Sequence, residues 1–143
     1  MFDEIASRYD FLNHTLSCFQ DILWRRSCCR ELKRVKPGKR LLDLCGGTGD
    51  FAVTYEKFNG KPDIAVLGDF SYGMLKGAAG KTMTAIPVQL DAMKMPFGDA
   101  SFDVVLNGLG FGRISLILDK MYIIGRGFVS LNYFTQSCLR ILT

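Results

Sequence analysis

The chain has 143 residues, of which 48% are hydrophobic and 22% charged, and its formal net charge is +4. This composition is typical of one folded globular domain and excludes a disordered chain. Five cysteines and a single histidine indicate neither a paired disulfide framework nor a zinc site. Unpaired thiols, and acidic residues soon after Met1 in place of a leader segment, predict a cytoplasmic protein.

Residues 1–38 predict a helical lid. Apolar residues from Phe2 to Leu12 recur at spacings of three and four, which indicates one helical stripe. Ser17–Gln20 has the form of a capping box and predicts a second helix, which ends at Pro37. We expect this helix to turn its basic residues outward and its apolar residues inward. The inward set is Ile22, Leu23, Cys29, Leu32 and Val35.

The basic cluster between Arg25 and Arg40 has two interpretations. It can attract nucleic acid or an anionic membrane surface. A solvated helix face is the more common explanation of such a cluster and is favoured here, and no aromatic platform for nucleic-acid bases is interleaved with it. The uncharged run from Gly127 to Leu139 is too short to cross a bilayer.

Four apolar runs are typical of buried strands: Arg40–Leu44, Ile64–Leu67, Ile86–Leu90 and Phe102–Leu106. Helical patterns follow the first two. One runs from about Gly49 to Asn59, and the other follows Ser71, a good N-cap residue. Strands that alternate with helices predict right-handed βαβ units. The predicted fold class is therefore α/β, a Rossmann-like parallel sheet with helices on both faces.

A glycine loop, Cys45–Gly49, separates the first strand from its helix. Glycine has no Cβ, so a ligand can lie against its backbone. The first N–H groups of the following helix point back at that ligand. The loop therefore predicts a nucleotide-type ligand at the end of the first strand.

Three acids stand at comparable places in the predicted sheet. Asp43 lies in the first strand, Asp69 follows the second and Asp91 follows the third. Because the carboxyl ends of parallel strands share one edge, we expect these side chains to line one crevice. Asp69 lies about 20 residues after Gly49, the separation expected for an acid that binds a ribose diol. Residues 47–52 also fit a dinucleotide fingerprint, so an NAD-dependent oxidoreductase stays open at this point.

The segment after the third strand separates these alternatives, because Asp91-Ala92 followed by Met95-Pro96-Phe97 is not a dehydrogenase pattern. The chain resembles a class I S-adenosylmethionine-dependent methyltransferase. Within that class it is similar to the demethylmenaquinone/ubiquinone C-methyltransferases of quinone biosynthesis, over about residues 2 to 108. The segments that carry the resemblance are Phe2, Ile5–Asp10, Asn13, Leu16–Ser17, Trp24–Arg26, Leu42–Asp50, Asp69–Leu75, Asp91–Ala92, Met95–Phe97 and Ser101–Asp103.

The resemblance implies S-adenosyl-L-methionine as the cofactor. The glycine loop would hold its methionine end, with the acid of the first strand bracing that loop. The acid after the second strand would bind the ribose hydroxyls. The acid after the third strand, with the backbone of the next residue, would contact the adenine. The implied cofactor-binding residues are Asp43, Gly46, Thr48, Gly49, Asp69, Asp91 and Ala92.

The implied reaction is methylation of a ring carbon of a lipophilic quinol, converting demethylmenaquinol to menaquinol. Sulfonium is a good leaving group, so the main task of the protein is in-line alignment. No catalytic residue is assigned, although His14 and Tyr9 in the lid are candidates for a general base. Because such a substrate carries a long prenyl tail, the apolar and basic helices could sit on a membrane surface. Nucleic acid is not an implied partner, and no metal is implied.

The resemblance ends near Gly108, and residues 109–143 form an atypical apolar tail. The predicted single methyltransferase domain thus consists of a lid (1–38), a cofactor-binding core (39–108) and this tail. Four strands leave an exposed sheet edge, against which the apolar runs Leu116–Leu118 and Met121–Ile124 could pair or pack. Phe128–Phe134 is also strand-like, and because it has no charges it is an aggregation hazard. The abrupt change of pattern predicts a truncated or frame-shifted product. It keeps a second hypothesis open, that of an inactive cofactor-binding remnant or interaction module.

Overall fold

The computed structural model describes Thr15 and residues 20–32, 40–81, 84–108, 127–132 and 137–142. The helices in these ranges are α1 (Gln20–Leu32), α2 (Asp50–Asn59) and α3 (Tyr72–Ala78). The strands are β1 (Arg40–Leu44), β2 (Ile64–Asp69), β3 (Ala85–Gln89), β4 (Val104–Asn107), β5 (Gly127–Asn132) and β6 (Ser137–Leu142). The predicted first helix, the Ser17 cap and Val35 lie outside these residues.

The strands form one sheet in the order β3-β2-β1-β4-β5-β6. All pairs are parallel except β5 with β6. Leu44, the last residue of β1, lies opposite Gly68 of β2 and Asn107 of β4. The carboxyl ends of these strands therefore meet at one edge, and the predicted α/β class with a parallel sheet is confirmed.

Local sequence signals placed several element ends correctly. β1 has the predicted bounds, and α2 stops before Gly60, which has a φ of 83°. The Ser71 hydroxyl caps α3 by accepting a hydrogen bond from the Met74 N–H at 3.2 Å. β3 contains Pro87, which a strand at the edge of this sheet tolerates because no further ladder needs the missing N–H.

The prediction of only four strands is wrong. β5 overlaps the strand-like run predicted in the tail and pairs in parallel with β4, from Val105 opposite Phe128 to Asn107 opposite Ser130. β6 then pairs antiparallel with β5. The tail thus covers the edge of β4, because its apolar segments find backbone partners that no local pattern could identify.

The buried face of α1 also differs from the expected one. Leu23, predicted to face inward, is 59% exposed, and Arg25, predicted to face outward, is buried. The buried positions recur at spacings of three and four and include two cysteines and a paired acid; they are Asp21, Arg25, Cys28, Cys29 and Leu32. The hydrophobic residues of a helix therefore do not by themselves determine which face is buried, since paired charged residues can also lie on the buried face.

The core lies on both faces of the sheet. Leu41 of β1 belongs to a cluster with Leu32 of α1 and Tyr55 of α2, whereas the next residue, Leu42, packs on the opposite face with Phe102. This alternation follows from the two-residue period of a strand. Because Leu32 and Cys29 of α1 join this core together with Tyr55, α1 packs against α2.

Leu32→Ala should lower the free energy of unfolding by about 2 to 5 kcal/mol, because it removes buried methyl groups and leaves a cavity. Leu23→Ala, on the same helix, is the matched control and should change it by less than about 0.5 kcal/mol. Urea unfolding followed by circular dichroism measures both. An equal loss in the two variants would contradict the buried face assigned to α1.

Candidate functional site

The glycine loop packs closely on two strands. A Cβ on Gly46 would lie 2.4 Å from Leu67 Cδ1 and 2.7 Å from Asp43 Cγ, so no side chain fits there. Gly47 has a φ of 57°, a conformation that favours glycine, and a Cβ added to it would meet no atom within 4 Å. The Gly49 N–H donates to the Gly46 carbonyl at 2.9 Å and closes the turn. The loop is thus packed on its inner side and open on its outer side.

Asp43 links β1 to α2 from a fully buried position. Its Oδ2 accepts a hydrogen bond from the Ala52 N–H at 2.9 Å, in the first turn of α2. Its Oδ1 is buried without a hydrogen-bond partner in the structure. Burial raises the pKa of Asp43 from 3.8 to about 7, against the lowering effect of the Ala52 N–H and of the Arg25 charge. The carboxylate therefore braces the loop at an electrostatic cost.

Asp69 clamps the end of β2 to the loop. Its Oδ2 accepts the Gly47 N–H at 2.9 Å, and its Oδ1 accepts the Ser71 N–H at 2.8 Å. The Gly46 N–H adds a bond of 3.2 Å to the Gly68 carbonyl. Each carboxylate oxygen has a second lone-pair site beyond these bonds. The carboxylate is thus held in a fixed plane with capacity to accept further donors.

Asp91 and Ala92 occupy the turn after β3. Asp91 Oδ1 accepts the Met93 N–H at 2.8 Å, and its carbonyl accepts the Lys94 N–H at 2.9 Å. The Leu90 N–H donates to the Asp69 carbonyl at 2.9 Å, which ties this turn to the end of β2. Ala92 is half-buried between these bonds and packs on the second core cluster.

The Cys45 thiol lies in the negative electrostatic field of the three acids. Burial raises the pKa of this thiol to about 12, and the negative charges of Asp69, Asp43 and Asp91 add to this shift in that order. The Cys45 thiol is therefore within electrostatic range of all three carboxylates. A crevice with this field favours a ligand that carries positive charge.

Thr48 lies on the inner side of the loop and is buried. Its methyl carbon would be 3.2 Å from a Cβ added at Gly77 of α3, so α3 approaches the loop closely at this point. Thr48 therefore packs the loop against α3, a contact that the implied role in holding methionine did not anticipate.

Two buried polar residues near the site were not recognised from the sequence as part of it. Arg25 of α1 forms an ion pair with Asp21, one turn earlier, and lies 3.4 Å from Asp50 Oδ2 at the start of α2. The spacing of four between Asp21 and Arg25 is a signal that could have revealed the pair. Asn107 ends β4 opposite Leu44 and is fully buried.

The proposed general bases, His14 and Tyr9, lie outside the described residues. Over the ranges that are described, no three histidine, cysteine or acidic side chains are grouped as metal ligands. No helix in those ranges is long and apolar enough to cross a membrane.

Asp43→Asn should remove a pH-dependent loss of stability. Unfolded Asp43 ionises near pH 3.8, whereas the folded group ionises near 7. Its contribution to stability is therefore full below about pH 4 and is lost as the pH rises through 7. Relative to the natural chain, the asparagine variant should gain about 2 to 3 kcal/mol between pH 5 and pH 8.

Urea unfolding at pH 5, 6, 7 and 8 measures this difference. Asp99→Asn, at an exposed position, is the control and should leave the pH dependence unchanged. A constant difference between Asp43→Asn and the natural chain over this range would show that the carboxyl is ionised throughout.

Comparison with known proteins connects this geometry to a family. A demethylmenaquinone methyltransferase from Mycobacterium sp. strain KMS is 41% identical over 114 residues, which cover 80% of this chain and 47% of that protein. A ubiquinone/menaquinone biosynthesis C-methyltransferase from Ectopseudomonas mendocina is 37% identical over 124 residues, with the same two coverages. The chain thus spans about half the length of the curated relatives it matches.

Solved structures show the fold. A putative S-adenosyl-L-methionine-dependent methyltransferase from Methanococcus maripaludis superposes with a TM-score of 0.70 at 17% identity, covering 91% of this chain and 63% of that chain. A putative methyltransferase from Bacillus halodurans gives a TM-score of 0.62 at 21% identity, covering 75% and 50%. The sheet is therefore the Rossmann-like sheet of the class I methyltransferases, as predicted.

The match to a family profile is longer than the resemblance visible in the sequence. It runs over residues 1–125, beyond the point near Gly108 where the motifs end. It therefore includes the predicted lid, the glycine loop and all three acids. On this evidence the chain belongs to the ubiE/COQ5 methyltransferase family.

Proposed function

We propose that the crevice at the carboxyl ends of β1, β2 and β3 binds S-adenosylmethionine. The observation that carries this proposal is the clamp between Asp69 and the Gly47 N–H at 2.9 Å. It places an oriented carboxylate beside an open glycine backbone, which suits a ligand with a ribose next to an amino-acid chain. The buried, unpartnered Oδ1 of Asp43 adds negative potential beneath the loop, and this suits a cationic cofactor.

The proposed contacts are those that the family resemblance implies for each residue. Gly46, Thr48 and Gly49 hold the methionine end along the loop, and Asp43 braces them from below. Asp69 accepts hydrogen bonds from the ribose hydroxyls. The adenine lies against the turn after β3, where Asp91 and the backbone of Ala92 contact it.

We further propose that the chain methylates a ring carbon of a quinol of the demethylmenaquinol type. The support is the family and the printed names of the relatives. S-Adenosylmethionine supplies an electrophilic methyl group on a sulfonium, a good leaving group. The chain's own residues then have to hold donor and acceptor in line and exclude water. Because a quinol of this type carries a long prenyl tail, we also propose that the chain contacts a membrane surface.

Binding and turnover separate this proposal from its alternatives. Calorimetric titration should show binding of S-adenosylmethionine and S-adenosylhomocysteine but not of NAD, and transfer of a labelled methyl group to demethylmenaquinol should follow. Binding of NAD alone would support an oxidoreductase instead. Binding of the methyl donor without turnover would support the cofactor-binding remnant.

Asp69→Asn should weaken the affinity for S-adenosylhomocysteine by about ten- to a hundredfold, because charge-assisted hydrogen bonds contribute about 1.5 to 3 kcal/mol. Asp63→Asn, an exposed acid just before β2, is the matched control and should leave the affinity unchanged. Calorimetry measures both variants.

Because Asp69 also braces the loop, a second probe isolates its role toward the ribose. An analogue of S-adenosylhomocysteine without the 2′-hydroxyl should bind more weakly than the parent compound to the natural chain. The two compounds should bind equally to Asp69→Asn. If the variant still discriminates fully between them, Asp69 is not the ribose ligand.

A further inference from the structure

The buried arginine of α1, Arg25, lies close to a partly exposed acid at the start of α2. The Arg25 side chain is 9% exposed and contacts two acids, Asp21 on its own helix and Asp50 Oδ2 at 3.4 Å. Asp50 is the first residue of α2 and directly follows the glycine loop. Arg25 thus reaches from the predicted lid to the residue at which the loop ends.

Asp50 also has a second cationic neighbour, and the two differ in exposure. Lys81, which follows α3, lies 3.4 Å from Asp50 Oδ1, and its side chain is 34% exposed. A pair this exposed is screened by solvent and contributes little. The Arg25 side chain is only 9% exposed and is also paired with the buried Asp21, so its position is more tightly fixed than that of Lys81. Arg25 is therefore the less exposed and better fixed of these two cationic neighbours of Asp50.

Two further contacts join α1 to α2. The Asn59 side-chain amide donates to the Cys29 carbonyl at 3.1 Å, and the Arg30 guanidinium lies 5.4 Å from the centre of the Phe58 ring. These contacts fix the far end of α2, whereas Arg25 fixes the end beside the loop. The two helices are thus joined at both ends, with the charged contact placed at the site.

We propose that Arg25 is a positioning residue for cofactor binding, whose ion pair with Asp50 holds α1 against the start of α2 and so sets the position of the glycine loop. This inference rests on the proposed function of the crevice. Arg25 does not need to contact the cofactor. Asp50 directly follows Gly49, so a change in the position of Asp50 also changes the position of the loop.

The charge of Arg25 should also affect how ligand affinity depends on pH, which packing alone would not do. The charged groups that face the Asp43 carboxyl are Arg25 from α1, Asp50 from α2 and Asp69 from β2, and Arg25 is the one that favours ionisation. The Cys45 thiol beside them stays neutral below pH 8, since its pKa is raised to about 12. Affinity for a ligand with an ammonium group should rise with pH through about 7, as Asp43 ionises, and then level off. Without Arg25 this rise should move to higher pH.

The test compares Arg25→Met, Arg25→Lys and Asp50→Asn, with S-adenosylhomocysteine as the probe and calorimetry between pH 6 and pH 8. Arg25→Met should weaken binding by about tenfold at pH 7, in the range usual for coupled sites. It should also displace the pH midpoint of affinity upward. Arg25→Lys should restore part of both effects. The double variant Arg25→Met with Asp50→Asn should bind about as weakly as Arg25→Met alone, because the two residues act as one unit.

Arg26→Met, the neighbouring and exposed arginine on α1, is the matched control and should change neither quantity. Unaltered affinity and midpoint in Arg25→Met, with normal binding by the natural chain, would overturn the positioning role while leaving the proposed function intact. Additive losses in the double variant would also overturn it. Failure of the natural chain itself to bind the probe would instead overturn the proposed function, and with it this inference.

Discussion

The hydrogen bond between the buried Asp43 carboxylate and the Ala52 N–H is the contact on which the site depends. It joins the last part of β1 to the first turn of α2, and it fixes the span that the glycine loop must bridge. Gly46 lies so close to the Asp43 carboxyl that no Cβ can be accommodated. At Gly46 a glycine is thus required by the packing beneath the loop, whatever lies above it. Burial of the acid makes this brace costly, as the raised pKa of Asp43 shows.

Internal hydrogen bonds also fix the residues around the loop. Asp69 accepts backbone N–H groups from the loop and from the residue before α3, and the turn at Asp91 is tied back to β2 by the Leu90 N–H. Such preorganisation lowers the entropy lost on binding. The same carboxylates concentrate negative potential around Cys45. The negative charge at this edge of the sheet suits the cationic cofactor that we propose.

Features set by neighbouring residues could be predicted from the sequence, and features set by distant partners could not. The bounds of β1 and the Ser71 cap follow from short patterns whose physical causes are local. Arg25 is buried with a local partner, Asp21, and a pattern based on hydrophobic residues alone placed it on the wrong face. The contact of Arg25 with Asp50 and the pairing of β5 with β4 join residues far apart along the chain, and no local pattern identifies such partners. The three acids were placed correctly at one edge because parallel topology itself brings strand ends together.

The central claim is that the glycine loop and the three acids form one cofactor site. Chemical-shift mapping of backbone amides during titration with S-adenosylhomocysteine tests it most directly. We expect the shifts to concentrate at the carboxyl ends of β1, β2 and β3. The loop from Gly46 to Gly49, the turn before Ser71 and the turn around Ala92 should change most, and β6 should be unaffected. Saturable binding that leaves the loop amides unchanged while perturbing a different surface would contradict the account.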